Sequence, residues 1–186
     1  MALVTSNLHK LEEFQHGLAP LGYKVVHLPV ECDEIQADTL EEVVDRCLDE
    51  VVGMGHRNII LDDSGLFVDM LKGFPGVYSS YVFSTIGNEG ILKLLHGTGE
   101  RKARFECCIG CQMDGVGRIV VKGSSPGKII SEKRGKLGFG YDPIFVPDGS
   151  ERTFAEMEMN EKNAFSHRGN AMRLFVDALT SKVEVD

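Results

Sequence analysis

The sequence lacks the features that mark several large classes of protein. It has no run of the roughly 20 apolar residues that a membrane-crossing helix needs, and its opening Met1-Ala2-Leu3-Val4 passes directly into a polar turn. With 20 basic against 28 acidic residues, it has little of the positive charge that a nucleic-acid or anionic-membrane surface requires. We therefore expect neither nucleic acid nor a membrane among its partners.

The cysteines lack the pattern of a disulfide-stabilised scaffold. The five cysteines are an odd number spread along the chain, at Cys32, Cys47, Cys107, Cys108 and Cys111. Cys108 and Cys111 bracket a two-residue gap, but a second pair of zinc ligands at useful spacing is missing, which favours core packing. This usage is typical of a reducing compartment, and no charged leader precedes an apolar stretch, so we expect the protein in the cytoplasm.

The chain contains enough apolar residues for one substantial core. Its 186 residues are 42% hydrophobic, and no repeat, low-complexity tract or linker divides them. A chain of this length is within the range of ordinary single domains. We expect one domain over residues 1–186.

Alternating apolar patterns predict an α/β fold with a mixed sheet. Strands are predicted near residues 2–4, 25–28, 58–61, 102–113, 116–124 and 127–131, and helices near 10–21, 40–51, 86–95 and 164–179. In such sheets, ligands favour the loops beyond the carboxyl ends of the strands. Thr5-Ser6-Asn7 and Asp62-Asp63 are predicted to lie in two of these loops.

Three carboxylates on two segments indicate a site for a divalent cation. Glu34, Asp62 and Asp63 lie on segments that each follow a predicted strand. Magnesium prefers oxygen ligands and is commonly held by one or two carboxylates together with phosphate oxygens. The alternative is structural, with Glu34 in a solvated acidic loop and the aspartates capping a turn.

Three short polar clusters each carry a cation suited to phosphate. They are Thr5-Ser6-Asn7 with Lys10, Lys162 with Asn163, and Ser166-His167 with Arg168. Lysine supplies a compact positive charge, and arginine supplies a planar guanidinium group with several N–H donors. A helix start such as the one after Asn7 supplies free N–H groups. Each cation taken alone also fits a solvated helix residue, so the prediction rests on finding three clusters in one small domain.

A glycine-rich segment predicts a pocket for a nucleobase. Phe139-Gly140-Tyr141-Asp142 combines aromatic faces, a permissive backbone and a carboxylate that could accept hydrogen bonds from ring N–H groups. The six histidines form no pair at metal-binding helical spacing, and His167 is a candidate for base recognition. The alternative is a tight turn that places Phe139 and Tyr141 in the core.

Five ordered motifs run through the chain between Val4 and about Phe175. They are Thr5-Ser6-Asn7-Leu8-His9-Lys10, Asp62-Asp63-Ser64-Gly65-Leu66, Gly73-Phe74-Pro75-Gly76-Val77-Tyr78-Ser79, Gly138-Phe139-Gly140-Tyr141-Asp142-Pro143 with Phe145, and Glu161-Lys162-Asn163-Ala164 followed by Ser166-His167-Arg168. In this order and spacing, the chain resembles the inosine triphosphate pyrophosphatase family, known also as the Ham-type or non-canonical purine nucleotide pyrophosphatases.

The resemblance implies a fold, a reaction and a set of site residues. The fold would be a long mixed β-sheet with flanking helices that form two lobes around a central nucleotide cleft, usually in a homodimer. The reaction would be magnesium-dependent hydrolysis of ITP, dITP and XTP at the α-phosphorus to the monophosphate and pyrophosphate, cleansing the nucleotide pool. Thr5, Ser6, Asn7, Leu8, His9 and Lys10 would hold the triphosphate, Glu34 and Asp63 the magnesium, and Asp63 would also be the general base. Further substrate contacts would come from Ser64, Phe139, Gly140, Tyr141, Asp142, Lys162, His167 and Arg168.

Two positions depart from the family pattern. Ser6 stands where the family commonly has glycine, so a positive φ there would strain the turn. Arg46 occupies approximately the place of a substrate-contacting lysine in many members. The sequence leaves open whether Arg46 replaces that lysine and whether Asp62 also binds the metal.

Two other functions remain as alternatives. One is a pyrophosphatase for modified pyrimidine nucleotides on a similar scaffold, against which Ser166-His167-Arg168 argues. The other is a nucleotide sensor without turnover, in which the Asp62-Asp63 pair would have no use because a sensor needs no base. Turnover measured on a panel of purine and pyrimidine nucleotides distinguishes the pyrimidine enzyme from the purine enzyme. Nucleotide binding without a magnesium-dependent product would indicate the sensor.

Overall fold

The computed structural model describes residues 1–33 and 35–183 of the chain. Two units can be distinguished in it. The first contains residues 1–63, 108–122 and the chain from Ala171 onward, and the second contains residues 64–107 and 123–170. The single domain over residues 1–186 and the nucleotide cleft stay predictions.

Seven strands form one sheet in the described part of the chain. They are β1 (Ala2–Val4), β2 (Val26–Leu28), β3 (Ile59–Val68), β4 (Pro75–Gly76), β5 (Lys102–Met113), β6 (Gly117–Ile129) and β7 (Phe145–Pro147). The order is β2-β1-β3-β5-β6-β7, with β4 paired to β3 off this path. β1 is parallel to β2 and β3, whereas the pairs β3–β4 and β6–β7 are antiparallel. The sheet is therefore mixed, which confirms the predicted α/β class.

Six α-helices accompany the sheet in the described residues. They are α1 (Leu8–Leu18), α2 (Leu40–Gly53), α3 (Ser79–Thr85), α4 (Gly87–Leu94), α5 (Met159–Phe165) and α6 (His167–Val183), and short 3-10 turns cover Ala19–Leu21, Asp69–Leu71, Asp142–Ile144 and Phe154–Glu156. None of the helices in residues 1–33 and 35–183 has the length and apolar character that crossing a bilayer would require.

The starts of α1 and α2 follow from side chains that cap free N–H groups. Asn7 Oδ1 accepts a hydrogen bond from His9 N at 3.0 Å. At α2, Thr39 and Glu42 form a reciprocal capping box. Hydrogen bonds from the N–H groups of Asp38 and Thr39 lower the pKa of the Glu42 carboxyl.

Helix α2 covers one face of β5 in the first unit. A Cβ atom on Gly110 would collide with Val44 and lie 2.9 Å from Leu48 Cδ1, so glycine allows the helix to approach the strand closely. Side chains two residues apart on a strand share a face. Cys108 therefore lies on the same face of β5 as Gly110, the face that α2 covers.

Two predicted boundaries in the candidate site were wrong. Asp62 to Gly65 were expected in a loop after a short strand, but β3 continues to Val68, because its far end pairs with β4 at Leu66 and Phe67. One helix was expected from about residue 164, but α5 ends before Ser166, which is extended (φ −73°, ψ 151°), and α6 begins at His167. The Asp62-Asp63 pair thus lies within a strand.

Two further differences concern the second unit. The strand expected at residues 127–131 is the end of β6, which continues through Pro126 to Ile129 and pairs there with β7. Helix α3 was not predicted. Aromatic rings pack in this unit's core, with centroid distances of 4.8 Å for Phe105–Phe145 and 5.2 Å for Phe145–Phe154.

The cysteines fall into two groups. A disulfide joins Cys32 to Cys47, with Cα atoms 5.4 Å apart, a pair that the cysteine count did not predict and that the expected reducing compartment does not favour. Cys107, Cys108 and Cys111 are buried. Burial raises the pKa of Cys108 to about 12 and that of Cys111 to about 11, so both thiols stay protonated and are poor metal ligands at neutral pH.

We expect reduction of the Cys32–Cys47 disulfide to lower the free energy of unfolding by about 3 kcal/mol, because the bond closes a loop of 15 residues. Urea unfolding with and without dithiothreitol measures the difference. The variant with both cysteines replaced by serine should be insensitive to the reductant. Identical unfolding curves for the oxidised and reduced wild type would contradict the prediction.

Candidate active site

Thr5, Ser6 and Asn7 connect the carboxyl end of β1 to the start of α1. Thr5 Oγ1 accepts a hydrogen bond from Asn7 N at 3.0 Å, and His27 Nε2 lies 2.7 Å from the Thr5 carbonyl oxygen. The first turn of α1 contains no acidic residue, and Leu8 and His9 are exposed there. A helix start of this kind favours a bound anion, because free N–H groups and the helix dipole both point toward it.

The serine in this loop causes no left-handed strain. Among the described non-glycine residues, positive φ angles occur at Asn58 and Lys72 and not at Ser6. The turn therefore does not use the conformation that would require glycine.

Lys10 pairs with the first of the two adjacent aspartates. Its Nζ lies 3.0 Å from Asp62 Oδ1 and 3.2 Å from the Asp62 carbonyl oxygen. The Asp62 side chain has no exposed surface, and a buried carboxylate needs such a partner. The register of Val4 opposite Leu61 places the residues after β1 beside Asp62. This role for Asp62 was missed from the sequence, because it depends on the pairing of β1 with β3.

Asp63 projects to the opposite face of β3, because successive side chains of a strand alternate. It is partly exposed. It also acts electrostatically on the Cys108 thiol, which lies on the face that α2 covers. Of the two aspartates, Asp63 is thus the one that solvent reaches.

The donor chemistry around Asp63 fits magnesium. Asp63 is partly exposed, and Glu41 Oε2 is buried and accepts no hydrogen bond from the described residues, whereas Glu41 Oε1 is paired with Lys122 Nζ at 2.6 Å. No group of three or more His, Cys, Asp or Glu side chains arranged for a metal occurs in residues 1–33 and 35–183. Magnesium commonly uses one or two carboxylates with waters and phosphate oxygens, so the donors suit an ion shared with a nucleotide. The predicted ligand Glu34 lies outside the described residues.

Asp142 organises the glycine-rich segment of the second unit. Its Oδ2 accepts hydrogen bonds from Lys162 Nζ at 2.6 Å and from Phe139 N at 2.9 Å. The side chains of Lys162 and Asp142 are only 10% and 4% exposed. The ion pair thus fixes the backbone at Phe139.

Two cations lie near the ring of Phe139. Lys162 Nζ is 5.0 Å and Arg168 Cζ is 5.8 Å from its centroid. Arg168 Nη2 donates a hydrogen bond to Ser64 Oγ at 3.4 Å. Phe139 is 39% exposed. The structure thus brings Ser64, Phe139, Lys162 and Arg168 together within the second unit.

Tyr141 belongs to the core of the same unit. Its hydroxyl donates to the Ser79 carbonyl oxygen at 2.9 Å, and its ring lies 5.3 Å from that of Phe83. Burial raises the pKa of this hydroxyl. The neighbouring Gly140 carbonyl oxygen accepts from Asn88 Nδ2 at 3.1 Å. Tyr141 is therefore buried, and Phe139 is the exposed aromatic residue of the segment.

The ring of His167 is also packed inside the second unit. It stacks on Phe105, with centroids 4.6 Å apart and planes at 14°. His167 and Arg168 begin α6, and their approach to α5 depends on Gly169, where a Cβ atom would collide with the Asn163 carbonyl oxygen. The stack therefore fixes the helix start that carries Arg168.

The chain belongs to the Ham1 family, whose model matches residues 1–178. It is similar to the dITP/XTP pyrophosphatase of Pyrococcus horikoshii, with 51% identity over 176 residues that cover 95% of this chain and 94% of the relative. The dITP/XTP pyrophosphatase of Thermococcus kodakarensis is 51% identical over 184 residues and 99% of each chain. Among solved structures, a HAM1 protein from Coxiella burnetii has a TM-score of 0.86 and 32% identity, covering 97% of this chain and 98% of that one. The family resemblance is therefore confirmed.

Proposed function

We propose that the protein hydrolyses the non-canonical purine nucleoside triphosphates ITP, dITP and XTP to the monophosphate and pyrophosphate, which cleanses the nucleotide pool. The observation that carries this proposal is the 51% identity, over nearly the full length, to two proteins named dITP/XTP pyrophosphatase. Contacts within each unit support the roles that we propose for individual residues.

Residues of the first unit bind the phosphates. Thr5, Ser6, Asn7, Leu8 and His9 surround the start of α1, whose N–H groups other than those of Asn7 and His9 face phosphate oxygens, since these two already donate within the loop. Lys10 supplies a positive charge that Asp62 holds in place at 3.0 Å. A lysine already fixed in this way loses less side-chain freedom when a phosphate binds.

Asp63 accepts the proton of the attacking water. The water oxygen forms a bond to the α-phosphorus, and the bond to the β-phosphate oxygen breaks, which releases pyrophosphate. Glu34 and Asp63 would hold Mg²⁺, which supplies neutralising charge to the phosphate oxygens when bound. Lys10 stabilises the negative charge that develops on the leaving pyrophosphate.

Residues of the second unit recognise the base. Phe139 stacks on the purine, and Arg168, held by Ser64, donates a hydrogen bond to the 6-keto oxygen. Adenine carries an amino group there, which would leave the donor unpaired and disfavour ATP. Gly140, Tyr141, Asp142, Lys162 and His167 form the frame that holds Phe139 and Arg168, and close packing by residues 139–142 at the 2-position would exclude guanine.

We also propose that the protein works as a homodimer in the cytoplasm. Large apolar side chains are exposed on and beside α3, including Phe74 (40%), Tyr78 (42%), Tyr81 (66%) and Ile86 (44%). Exposed apolar groups of this size favour association with another protein surface. Sedimentation equilibrium gives the mass of the particle, and a monomer at micromolar concentration would exclude the dimer.

Ion-exchange separation of products tests the proposed reaction. We expect ITP, dITP and XTP to give monophosphate and pyrophosphate with magnesium, no product with chelator, and little product from ATP or GTP. Diphosphate and inorganic phosphate would contradict attack at the α-phosphorus. Turnover of modified pyrimidine triphosphates would favour the pyrimidine enzyme, and binding without product would favour a sensor.

A further inference from the structure

An ion pair joins α2 to β6 in the first unit. Glu41 Oε1 in the first turn of α2 is 2.6 Å from Lys122 Nζ. Both side chains are a little over one third exposed, at 37% and 38%. Exposed ion pairs contribute little to stability, so the contact can open at small cost.

This pair lies on the face of the sheet that carries Asp63. The strands β3, β5 and β6 are consecutive in the sheet, and they carry Asp63, Cys108 and Lys122 respectively. Burial raises the pKa of the Cys108 thiol, Glu41 and Asp63 raise it further, and Lys122 lowers it. The charges of Glu41, Asp63 and Lys122 therefore all lie near the Cys108 side chain in the first unit.

This face carries several acidic side chains. Asp63, Glu41, Asp45 and Asp49 are acidic, and Arg118 of β6 pairs with Asp45 at 3.3 Å and with Asp49 at 2.6 Å, whereas Lys10 is bound to Asp62 on the other side of β3. A phosphate that approaches a water on Asp63 meets repulsion from these carboxylates. Lys122 is a cation on the same face that can offset it.

We propose that Lys122 is a further substrate-binding residue, which contacts the α-phosphate beside Asp63, and that Glu41 is the residue that positions it. The inference rests on the proposed function and names a residue of that same site. In the free protein, Glu41 holds the Lys122 ammonium group over the sheet. When the nucleotide binds, the ammonium group donates to an α-phosphate oxygen, and a charge-assisted contact replaces an exposed ion pair.

Binding of inosine monophosphate and of inosine separates the phosphate contact from recognition of the base. Calorimetry in chelator should show that Lys122→Gln weakens binding of the monophosphate about tenfold and leaves inosine unchanged. Lys128→Gln is the matched control, since Lys128 is exposed on the same strand and shares the face of Lys122. Lys122→Arg should retain most of the affinity because it keeps the charge.

Turnover of ITP tests the coupling to Glu41. Lys122→Gln should lower kcat/KM about 100-fold, Glu41→Gln several-fold, and the double variant no more than Lys122→Gln alone, because Glu41 acts through Lys122. Unchanged circular dichroism and thermal midpoints show that the variants are folded.

Three results would overturn the inference. They are equal monophosphate affinity for Lys122→Gln and Lys128→Gln, an equal loss of affinity for inosine, and additive effects in the double variant. If the wild type did not hydrolyse ITP, the proposed function would fail, whereas the comparison of monophosphate with inosine would still test Lys122.

Discussion

Replacement of Asp63 by Asn is expected to lower kcat for ITP by about 10²- to 10⁴-fold, the range that a positioned general base contributes. The amide keeps the shape of the side chain but cannot accept a proton from water. Substrate affinity should change much less than kcat, because Lys10 and the N–H groups at the start of α1 remain in place. Single-turnover kinetics, with binding measured separately, distinguishes the two effects.

The neighbouring substitution Asp62→Asn is the matched control for this experiment. Both changes are isosteric and lie in one strand, but Asp62 is bound to Lys10 and faces away from Asp63. Asp62→Asn should therefore act mainly on KM. A kcat for Asp63→Asn close to that of the wild type would exclude Asp63 as the base, and equal loss of kcat in both variants would show that the two sides of β3 do not act separately.

Replacement of Lys162 by Met is expected to lower the free energy of unfolding by about 3–5 kcal/mol, because it leaves a buried carboxylate without its counter-ion. The Asp142 side chain is 4% exposed, and its Oδ2 is 2.6 Å from Lys162 Nζ. Urea unfolding measures the change. ITP turnover should also fall, since the segment at Phe139 depends on the same carboxylate.

The double variant Lys162→Met/Asp142→Leu distinguishes a buried charge from a simple loss of packing. Removal of both charges should recover part of the stability that Lys162→Met loses, although the hydrogen bond from Phe139 N to Asp142 is then also absent. Lys136→Met is an exposed comparison in the same region and should change stability very little. A double variant less stable than Lys162→Met would contradict the assignment.

Local patterns predicted the elements whose causes are local. Helix α2 has its cap at Thr39 and its apolar spacing within one segment, and the hairpin of β5 and β6 has its turn at Asp114-Gly115. The mixed α/β class and the family resemblance followed from such segments and were confirmed.

The differences arose where distant residues decide the local structure. Asp62 and Asp63 are poor strand formers by propensity, yet Lys10 neutralises the buried member and β4 extends the ladder beyond them. Ser166 interrupts the helical pattern because its Oγ accepts a hydrogen bond from Gly169 N at 3.0 Å. Such contacts depend on the three-dimensional arrangement, which one segment of sequence does not specify.

The same limit applies to the candidate site. Sequence order identified Lys162 and Asp142 as separate candidates, and the structure joins them into one buried pair. Tyr141 was grouped with Phe139, but only Phe139 is exposed. The roles of these residues stay predictions until variants are measured.

The pairing of Val4 with Leu61 also determines where the chain can tolerate a change of length. One residue inserted between Leu61 and Asp62 would turn every later side chain of β3 to the opposite face. The inserted residue would then face Lys10, and the original Asp62 would face Cys108. The turn between β5 and β6 has no such alternation to keep, so engineered insertions after Gly115, which leave the two hydrogen bonds between Asp114 and Asn58 in place, should be accepted there and rejected in β3.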